Sequence, residues 1–300
     1  MPAAPDATAR HRLRRGRLRI VVTGATGTVG RRVAALLAAE TCQSVLVSRD
    51  PSSAGLAGHV ERADHGDVAR LSEVLADADA VLIITTDPLR PEHDANIVTA
   101  AVAAGVGHLV KLSALAVADP GAQDLITTWQ RSAEDRVRQS GIPWTILRSR
   151  AFMTHALAWA PDIRRDATVR GLYTDSRNAC VAPEDIAHVA RRVLLEDGHR
   201  GRTYSLTGPE ALSVRDQVAQ LGATLRRPLS CAELTSAQAQ ERWRLRYPEE
   251  LVRALAASAE RQRLGAKEAT THDVEELLGR PSTPFTSWAA EHAHLFDTLT

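Results

Sequence analysis

The sequence predicts an α/β protein: a doubly wound parallel sheet of the Rossmann type, followed by a smaller, mostly helical C-terminal region. Three observations predict this fold. Short apolar strands alternate with helical segments up to about residue 150, a glycine-rich loop follows the first strand, and the alternation stops after the sixth strand. We therefore predict a sheet domain over residues 18–150 and a region interleaved with it over residues 151–300. Residues 1–17 are predicted to be a disordered leader.

Six strands are predicted in the first half, each short and apolar, and most are rich in β-branched residues. They lie at 18–23, 44–48, 59–63, 80–85, 108–113 and 144–147. Apolar residues recur at helical spacing between them, over 31–39, 68–76, 95–104 and 124–140. Strands that alternate with helices need crossover connections, so the sheet is expected to be parallel and covered on both faces.

The second half is mostly helical. Residues 183–196 begin with proline and acidic residues, which favour the first turn of a helix, and residues 203–207 resemble a strand. Further helices are predicted at 214–225, 237–244, 249–264 and 288–299. We expect this half to bind substrate or form a lid over the carboxyl edge of the sheet, where open α/β sheets bind ligands.

Composition and charge narrow the class of protein. The chain of 300 residues is 44% hydrophobic and 24% charged, and its longest apolar runs are far shorter than a membrane span. Residues 1–19 carry six arginines and one acid, so the rest of the chain is mildly acidic. We predict a soluble protein with no membrane contact and no nucleic-acid-binding body. The basic leader alternatively binds nucleic acid or acidic lipid.

The cysteines are three in number and far apart, at Cys42, Cys180 and Cys231. Their spacing predicts neither a disulfide framework nor a metal site. A reducing cytoplasm is the expected location.

The glycine-rich segment GATGTVG occupies residues 24–30, between the first strand and the first helix. Gly24 allows a tight turn, Gly27 lets the backbone approach a pyrophosphate, and Gly30 permits close helix–sheet packing. The N–H groups at the helix start, including those of Thr28 and Val29, favour a phosphate there. This context predicts dinucleotide binding by the loop, including Thr26.

The end of the second strand indicates which dinucleotide binds. An acidic residue there usually selects NAD, but this strand ends with Ser48 and Arg49, and Asp50 comes one place later. A hydroxyl and a guanidinium suit the 2′-phosphate of NADP(H), which we predict as the cofactor. Arg49 is alternatively a solvated surface arginine. Because Asp50 is acidic, NAD(H) is the alternative cofactor.

The chain resembles the NmrA-like family of atypical short-chain dehydrogenases/reductases in six segments. These are GATGTVG at 24–30, VKLS at 110–113, SGIPWTILR at 140–148, FM at 152–153, PEDIA at 183–187 and YSLTGPE at 204–210. The resemblance covers nearly the whole chain from Leu18. It implies either an NADPH-dependent reductase or a protein that only senses NADP(H). It also implies that Asp64 contacts adenine and that Thr85 and Thr86 line the nicotinamide ribose. Asp64 is alternatively a plain turn former, and the two threonines are alternatively ordinary strand-end residues.

The usual catalytic pair of short-chain dehydrogenases, a tyrosine and a lysine four residues later, is not found at the expected positions. By the family's spacing these positions fall on Ile126 and Gln130. Carbonyl reduction through such a pair is therefore excluded, whereas a quinone or conjugated acceptor can take its proton from water or a weaker acid.

Four residues are candidates for proton transfer: Ser113, Lys111, His155 and Tyr173. Ser113 occupies the family's serine position, yet it alternatively caps a turn, and Lys111 alternatively binds nothing. His155 replaces the asparagine that usually follows Phe-Met in the family, and histidine titrates near neutral pH.

Four apolar residues are candidates for the wall of an aromatic substrate pocket, and core packing explains them equally well: Trp129, Phe152, Met153 and Trp159.

These observations predict an NADP(H)-dependent oxidoreductase acting on a small, aromatic or quinone-like metabolite. A sensor without turnover is the first alternative, because Ile126 and Gln130 replace the catalytic pair. A cyclase, isomerase or epimerase that retains the cofactor fold is the second. The predicted partner is a small-molecule substrate, and a homo-oligomer is left open.

Overall fold

The computed structural model describes residues 17–52, 55–56 and 58–297. The predicted leader, apart from Arg17, lies outside the described residues. The chain divides into two compact units. The first comprises the described residues up to Ser113, then Trp129–Arg148 and Ile186–Tyr204. The second comprises Ala114–Thr128, Ser149–Asp185 and the chain from Ser205 onward.

The strands follow the predicted pattern in the first half and add short strands in the second. They are β1 Arg19–Val22, β2 Gln43–Ser48, β3 His59–Arg62, β4 Ala80–Ile83, β5 Leu109–Ala114, β6 Trp144–Ser149, β7 Thr168–Leu172, β8 Arg177–Asn178, β9 Arg202–Leu206, β10 Leu212–Ser213 and β11 Ser230–Leu234. Seven of them form one sheet in the order β3-β2-β1-β4-β5-β6-β9. The pairings of β1 with β2 and β4, of β2 with β3, and of β4 with β5 are parallel. The predicted Rossmann-type fold is confirmed.

Eight of the predicted helices match α-helices to within a few residues, and the helices at 160–166 and 273–278 were not predicted. They are α1 Thr28–Ala38, α2 Val68–Leu75, α3 Glu92–Ala103, α4 Leu125–Gln139, α5 Ala160–Asp166, α6 Pro183–Leu195, α7 Val214–Thr224, α8 Ser236–Arg244, α9 Glu249–Arg263, α10 Asp273–Leu278, α11 Phe285–His292 and α12 His294–Asp297. Two turns of 3₁₀-helix lie at Leu115–Ala118 and Met153–Trp159. No helix in the described chain is long and apolar enough to cross a membrane.

The core of the first unit explains why its central strands are apolar throughout. All four residues of β4 are buried, as expected for a strand covered on both faces. Val21 of β1, Ile83 of β4, Leu71 of α2 and Ile97 of α3 belong to one buried cluster. This packing fixes the strand ends that carry the polar residues described below.

The second unit contains strand pairs that the sequence pattern did not predict. Strands β7 and β11 pair in parallel, and β8 and β10 pair antiparallel over two residues each. Such short, half-exposed strands carry too little alternation to be recognised. The unit has its own core, in which Phe285, Trp288 and Phe296 are buried.

The last predicted helix is corrected in its bounds. It was expected over 288–299, but α11 begins at Phe285, directly after Pro284, and α12 is a separate short helix that ends at Asp297. Proline favours a helix start because its φ is already helical and it needs no N–H partner.

Candidate functional site

A cleft of about 340 Å³ opens in the first unit where strands β1, β2 and β4 end. Because these strands are parallel, their carboxyl ends meet at one edge of the sheet. Its lining residues come from the glycine loop, from the ends of β2, β3 and β4, and from the segment that leads into α3. They are Gly24, Thr26, Gly27, Val47, Ser48, Arg49, Ala63, Asp64, His65, Ile84, Thr85, Thr86, Asp87, Arg90 and His93.

Eight of the predicted cofactor-binding residues line this one cleft, and Thr28, Val29 and Gly30 follow directly in the first turn of α1. The sequence thus predicted the loop and the strand ends together. Their contacts with a cofactor stay predictions.

The glycine loop has a conformation that side chains would prevent. Gly24 has φ +62°, and a Cβ there would lie 2.7 Å from the carbonyl oxygen of Ile84. A Cβ on Gly30 would lie 2.2 Å from the carbonyl oxygen of Gly24. Gly27 precedes α1, and no side chain caps the helix start. The N–H groups of the first turn therefore suit a phosphate ligand.

The end of β2 presents one exposed cation. Arg49 is exposed, and no carboxylate in the described chain forms an ion pair with it. Asp50, whose acidic side chain left NAD(H) open, accepts hydrogen bonds through Oδ1 from the backbone N and Oγ of Ser52, at 3.1 and 2.6 Å. Asp50 thus caps its own turn while Arg49 lines the cleft, which favours a phosphate ligand over a ribose hydroxyl here.

Asp64 lies at the opposite wall of the cleft, after β3. Its Oδ1 accepts a hydrogen bond from the backbone N of Gly66 at 2.7 Å, and this bond is the main cause that lowers the pKa of the carboxyl group. Asp64 is therefore ionised near neutral pH. It is both the turn former and the cleft residue that the sequence left as alternatives.

The sequence analysis missed several cleft residues that follow β3 and β4. The rings of His65 and His93 meet edge to face, with centroids 5.6 Å apart. Burial and the neighbouring His93 lower the pKa of His65, so this ring is neutral at pH 7. Arg90 adds a second exposed cation. Their only sequence signal was their position one or a few residues after Asp64 and Thr86.

Lys111 occupies a buried ion pair beneath the cleft. Its Nζ lies 3.0 Å from Asp94 Oδ1 and donates to Thr85 Oγ1 at 3.0 Å. The hydroxyl of Thr85 donates to Asp94, and so does the indole Nε1 of Trp129, at 2.9 Å. The alternative in which Lys111 binds nothing does not describe this arrangement, because its ammonium is buried and paired with Asp94. Its role in proton transfer stays a prediction. The network holds Thr85, which does line the cleft.

Trp129, which was predicted to line a substrate pocket, also contacts this buried ion pair. It is 8% exposed, and its polar atom binds the buried Asp94. Its polar end therefore belongs to the core network.

Ser113 is also tied to a buried carboxylate. Its Oγ donates to Glu134 Oε1 at 2.6 Å, and Arg148 contacts both oxygens of Glu134 at 2.9 and 2.7 Å. Burial by itself would raise the pKa of Glu134, but the hydrogen bonds from Arg148, Ser113 and Arg138 outweigh it and lower the pKa. Glu134 is thus ionised and accepts the hydrogen bond from the serine hydroxyl, which ties Ser113 to this network. The role of Ser113 in proton transfer stays a prediction.

The positions of the missing catalytic pair both lie on α4. Ile126 has no ionisable group, and Gln130 is 7% exposed. The Oε1 of Gln130 is buried and has no hydrogen-bond partner within the described chain. Neither side chain can transfer a proton.

The remaining predicted residues belong to the second unit. Met153 is buried in its core, and Trp159 packs against that core. Phe152 lies 5.9 Å from His155, centroid to centroid, and desolvation together with the charge of Lys267 lowers the pKa of His155. A hydrogen bond with Glu260 raises the pKa of Tyr173, which makes its hydroxyl a poorer acid. Their roles toward a substrate stay predictions.

The residues of the cleft fit a dinucleotide. Glycine at positions 24 and 30 lets the loop fold tightly against backbone that a Cβ would strike, and an uncapped helix start lies beside the loop. Arg49 supplies a cation at the end of β2. The loop residues would hold the pyrophosphate, and Arg49 a ribose phosphate.

Comparison with known proteins agrees with this geometry. Residues 24–197 match the sequence model of a family described as NAD(P)H-binding. The chain is 47% identical over 279 residues to (4-alkanoyl-5-oxo-2,5-dihydrofuran-3-yl)methyl phosphate reductase of Streptomyces griseus, covering 92% of this chain and 99% of that protein.

Two solved structures share the fold. An NADPH-dependent quinone oxidoreductase of Escherichia coli, solved in complex with NADPH, superposes with a TM-score of 0.79 at 28% identity, covering 93% of this chain and all of that one. A double mutant of NmrA superposes with a TM-score of 0.74 at 17% identity, covering 92% of this chain and 95% of that one. The predicted resemblance to NmrA-like proteins is confirmed.

Proposed function

The chain belongs to the NAD(P)H-binding family and is an NAD(P)-dependent oxidoreductase acting on a small molecule, and on this premise we propose that it is an NADPH-dependent reductase of a conjugated butenolide phosphate. The proposed substrate is a (4-alkanoyl-5-oxo-2,5-dihydrofuran-3-yl)methyl phosphate or a close analogue.

One observation carries this proposal: the 47% identity to the reductase of that name extends over 99% of the relative's length. It therefore spans both units of the chain, not the dinucleotide-binding sequence alone.

The chemistry of this acceptor explains how a reductase can work without a tyrosine–lysine pair. Its ring double bond is conjugated with both the lactone carbonyl and the alkanoyl ketone. When NADPH is bound, it supplies a hydride to the ring carbon that carries the phosphomethyl group. The electron pair of the double bond moves onto the carbon between the two carbonyls, where both oxygens share the charge. Such a stabilised anion takes its proton from water, so Ile126 and Gln130 are no obstacle.

The residues of the chain then act by holding and orienting. The glycine loop and Arg49 bind the phosphates of the cofactor, and NADPH is favoured over NADH because Arg49 has no carboxylate partner in the described residues. Thr85, fixed by Asp94 and Lys111, lines the cleft from the end of β4. Positioning of this kind supplies much of the barrier reduction in hydride transfer.

The sensor alternative predicts binding without turnover, and the non-redox alternative predicts turnover without net oxidation of NADPH. The likeness to a reductase along nearly the full chain favours the oxidoreductase over both.

The test is NADPH oxidation by the purified protein, followed by absorbance with the butenolide phosphate, with a quinone panel and with no acceptor. We expect one NADPH consumed per butenolide reduced, and a higher kcat/KM with NADPH than with NADH. Faster turnover of a simple quinone would replace the butenolide with a quinone as the substrate class. Tight NADPH binding with no acceptor-dependent oxidation would contradict the proposal.

A further inference from the structure

Positively charged side chains gather in the second unit where β6 ends. Arg150 follows β6 directly, Arg261 lies near the end of α9, and Lys267 follows that helix. The backbone N–H groups at the two ends of segment 179–181 donate to the carbonyl oxygens of Lys267, at 3.0 Å, and of Ala151, at 2.9 Å, so this segment joins Lys267 to the residue that follows Arg150. The charges of Arg261 and Arg150 also act on Lys267. The three cations therefore occupy one neighbourhood.

Within the described residues, Arg150 is a buried cation without a counter-ion. It is 9% exposed, its Nε is buried without a hydrogen-bond partner, and no carboxylate of the described chain forms an ion pair with it. An unpaired buried guanidinium is costly to the folded state. Proteins keep such groups where a ligand supplies the missing charge.

Lys267 is the second cation of this region that lacks a carboxylate partner in the described residues. Its Nζ donates to Ser258 Oγ at 2.8 Å, and within the described residues it has no carboxylate partner. Desolvation, followed by the charges of Arg261 and Arg150, lowers the pKa of Lys267 to about 8. The ammonium thus lies in a region that is both crowded and positive.

Two acids of this region contact Arg261. Asp119 contacts Arg261 Nη1 at 2.8 Å, and Asp124 lies 3.8 Å from Arg261 Nη2. Arg261 is therefore compensated, whereas Arg150 and Lys267 are not. The surplus of positive charge belongs to these two residues.

We propose that Arg150 and Lys267 form an anion site in the second unit, and that this site binds the phosphate monoester of the substrate. A phosphate dianion has the charge that two uncompensated cations require. Its oxygens accept from the guanidinium fork of Arg150 and from the ammonium of Lys267. The site is separate from the phosphate-binding loop and Arg49, which belong to the first unit.

This inference rests on the proposed function for the identity of the ligand, whereas the anion site itself stands on the second unit alone. It makes Arg150 and Lys267 specificity-determining residues, because an acceptor without phosphate would leave both charges unpaired.

The first experiment compares the butenolide phosphate with the same butenolide carrying a free hydroxymethyl group. We expect the wild-type protein to prefer the phosphate ester by about 100-fold in kcat/KM, and Arg150→Met to reduce that preference at least tenfold. Lys267→Met should act in the same direction. Arg253→Met is the matched control, because it removes an exposed charge from the same unit and should leave the preference unchanged. Equal use of both acceptors by the wild-type protein would overturn the assignment of the substrate phosphate to this site and leave the reductase proposal intact.

The second experiment is independent of turnover. The protein is saturated with NADPH, so that the cofactor fills the phosphate sites of the first unit, and is then titrated with inorganic phosphate by calorimetry. We expect binding by the wild-type protein and by Arg253→Met, and a loss of at least tenfold in affinity for Arg150→Met. If neither acceptor is reduced, this titration still tests the anion site by itself. Phosphate binding that depends on Arg150 supports the site. Absent or unchanged binding overturns it.

The stability of the variant distinguishes a ligand site from a structural one. Because Arg150 is buried without a partner, Arg150→Met should melt at the same temperature as the wild-type protein or higher in phosphate-free buffer. A large fall in melting temperature would assign Arg150 to the fold and overturn its role as a ligand-binding residue.

Discussion

Lys111 Nζ lies 3.0 Å from Asp94 Oδ1, and the two side chains are 0% and 2% exposed. Asp94 also accepts hydrogen bonds from Thr85 and Trp129. One carboxylate therefore joins α3 to β5, to α4 and to the end of β4, where the cleft begins.

We expect Asp94→Ala to lower the free energy of unfolding by about 3 to 5 kcal/mol, because Lys111 would stay buried without its counter-ion. Urea denaturation monitored by circular dichroism measures this difference. The control is Glu92→Ala, an exposed acid on the same helix, which should change the free energy of unfolding by less than about 0.5 kcal/mol.

The double variant Asp94→Leu, Lys111→Met should recover part of the loss, since it removes both charges together. A loss below about 1 kcal/mol for Asp94→Ala would show that the buried pair contributes little to stability.

Ser113→Ala should reduce kcat by less than about tenfold, because the serine proton is directed at Glu134 and a true proton donor typically contributes 10²–10⁴-fold. Steady-state kinetics across pH 6–9 provide the measurement. Ser132→Ala, an exposed serine on the same helix as Glu134, serves as the control. A fall beyond 100-fold with an altered pH profile would return Ser113 to the catalytic group.

Arg49→Asp should weaken NADPH binding by about 100-fold and NADH binding much less, because only NADPH carries the phosphate that the guanidinium binds. Fluorescence titration gives both dissociation constants. Arg136→Asp makes the same charge change at an exposed helical position and should affect neither cofactor. Equal losses for the two cofactors would refute the role of Arg49 in binding the 2′-phosphate.

Relative to that of Lys267→Met, the affinity of NADPH-saturated protein for inorganic phosphate should fall by about tenfold between pH 7 and pH 9. The comparison with the variant is needed because phosphate itself gains negative charge as the pH rises, equally for both proteins. The pKa of Lys267 is lowered to about 8, so its charge is present below that pH and is lost as the pH rises through it. The charged or titratable groups around it are Arg150, Arg261, Cys180, Asp124 and His155. Burial raises the pKa of Cys180 to about 11, and the pKa of His155 is already lowered, so neither changes its charge in this interval.

Calorimetry at successive pH values tests this dependence. Lys267→Met should bind phosphate more weakly, and its affinity should not fall over the same interval. A ratio of the two affinities that stays constant from pH 7 to pH 9 would exclude Lys267 from the anion site.

The fold was largely predictable because its signals are local. Strand ends, helix starts and the GATGTVG loop depend on residues close in sequence, and the parallel order follows from their alternation. The cleft was predictable for the same reason: Ser48, Arg49, Asp64 and Thr85 each end or follow a strand, and parallel strands bring their ends together.

The sequence by itself thus determined the fold class, the phosphate-binding loop and the absence of a catalytic tyrosine and lysine. Only the tertiary structure decided what the polar residues between these signals do. Lys111 and Asp94 lie 17 residues apart in sequence, and Ser113 and Glu134 lie 21 apart. Arg150 and Lys267 come together only because the chain returns to the end of β6 after α9. Whether a buried charge has a partner depends on such long-range packing, and no local pattern records it.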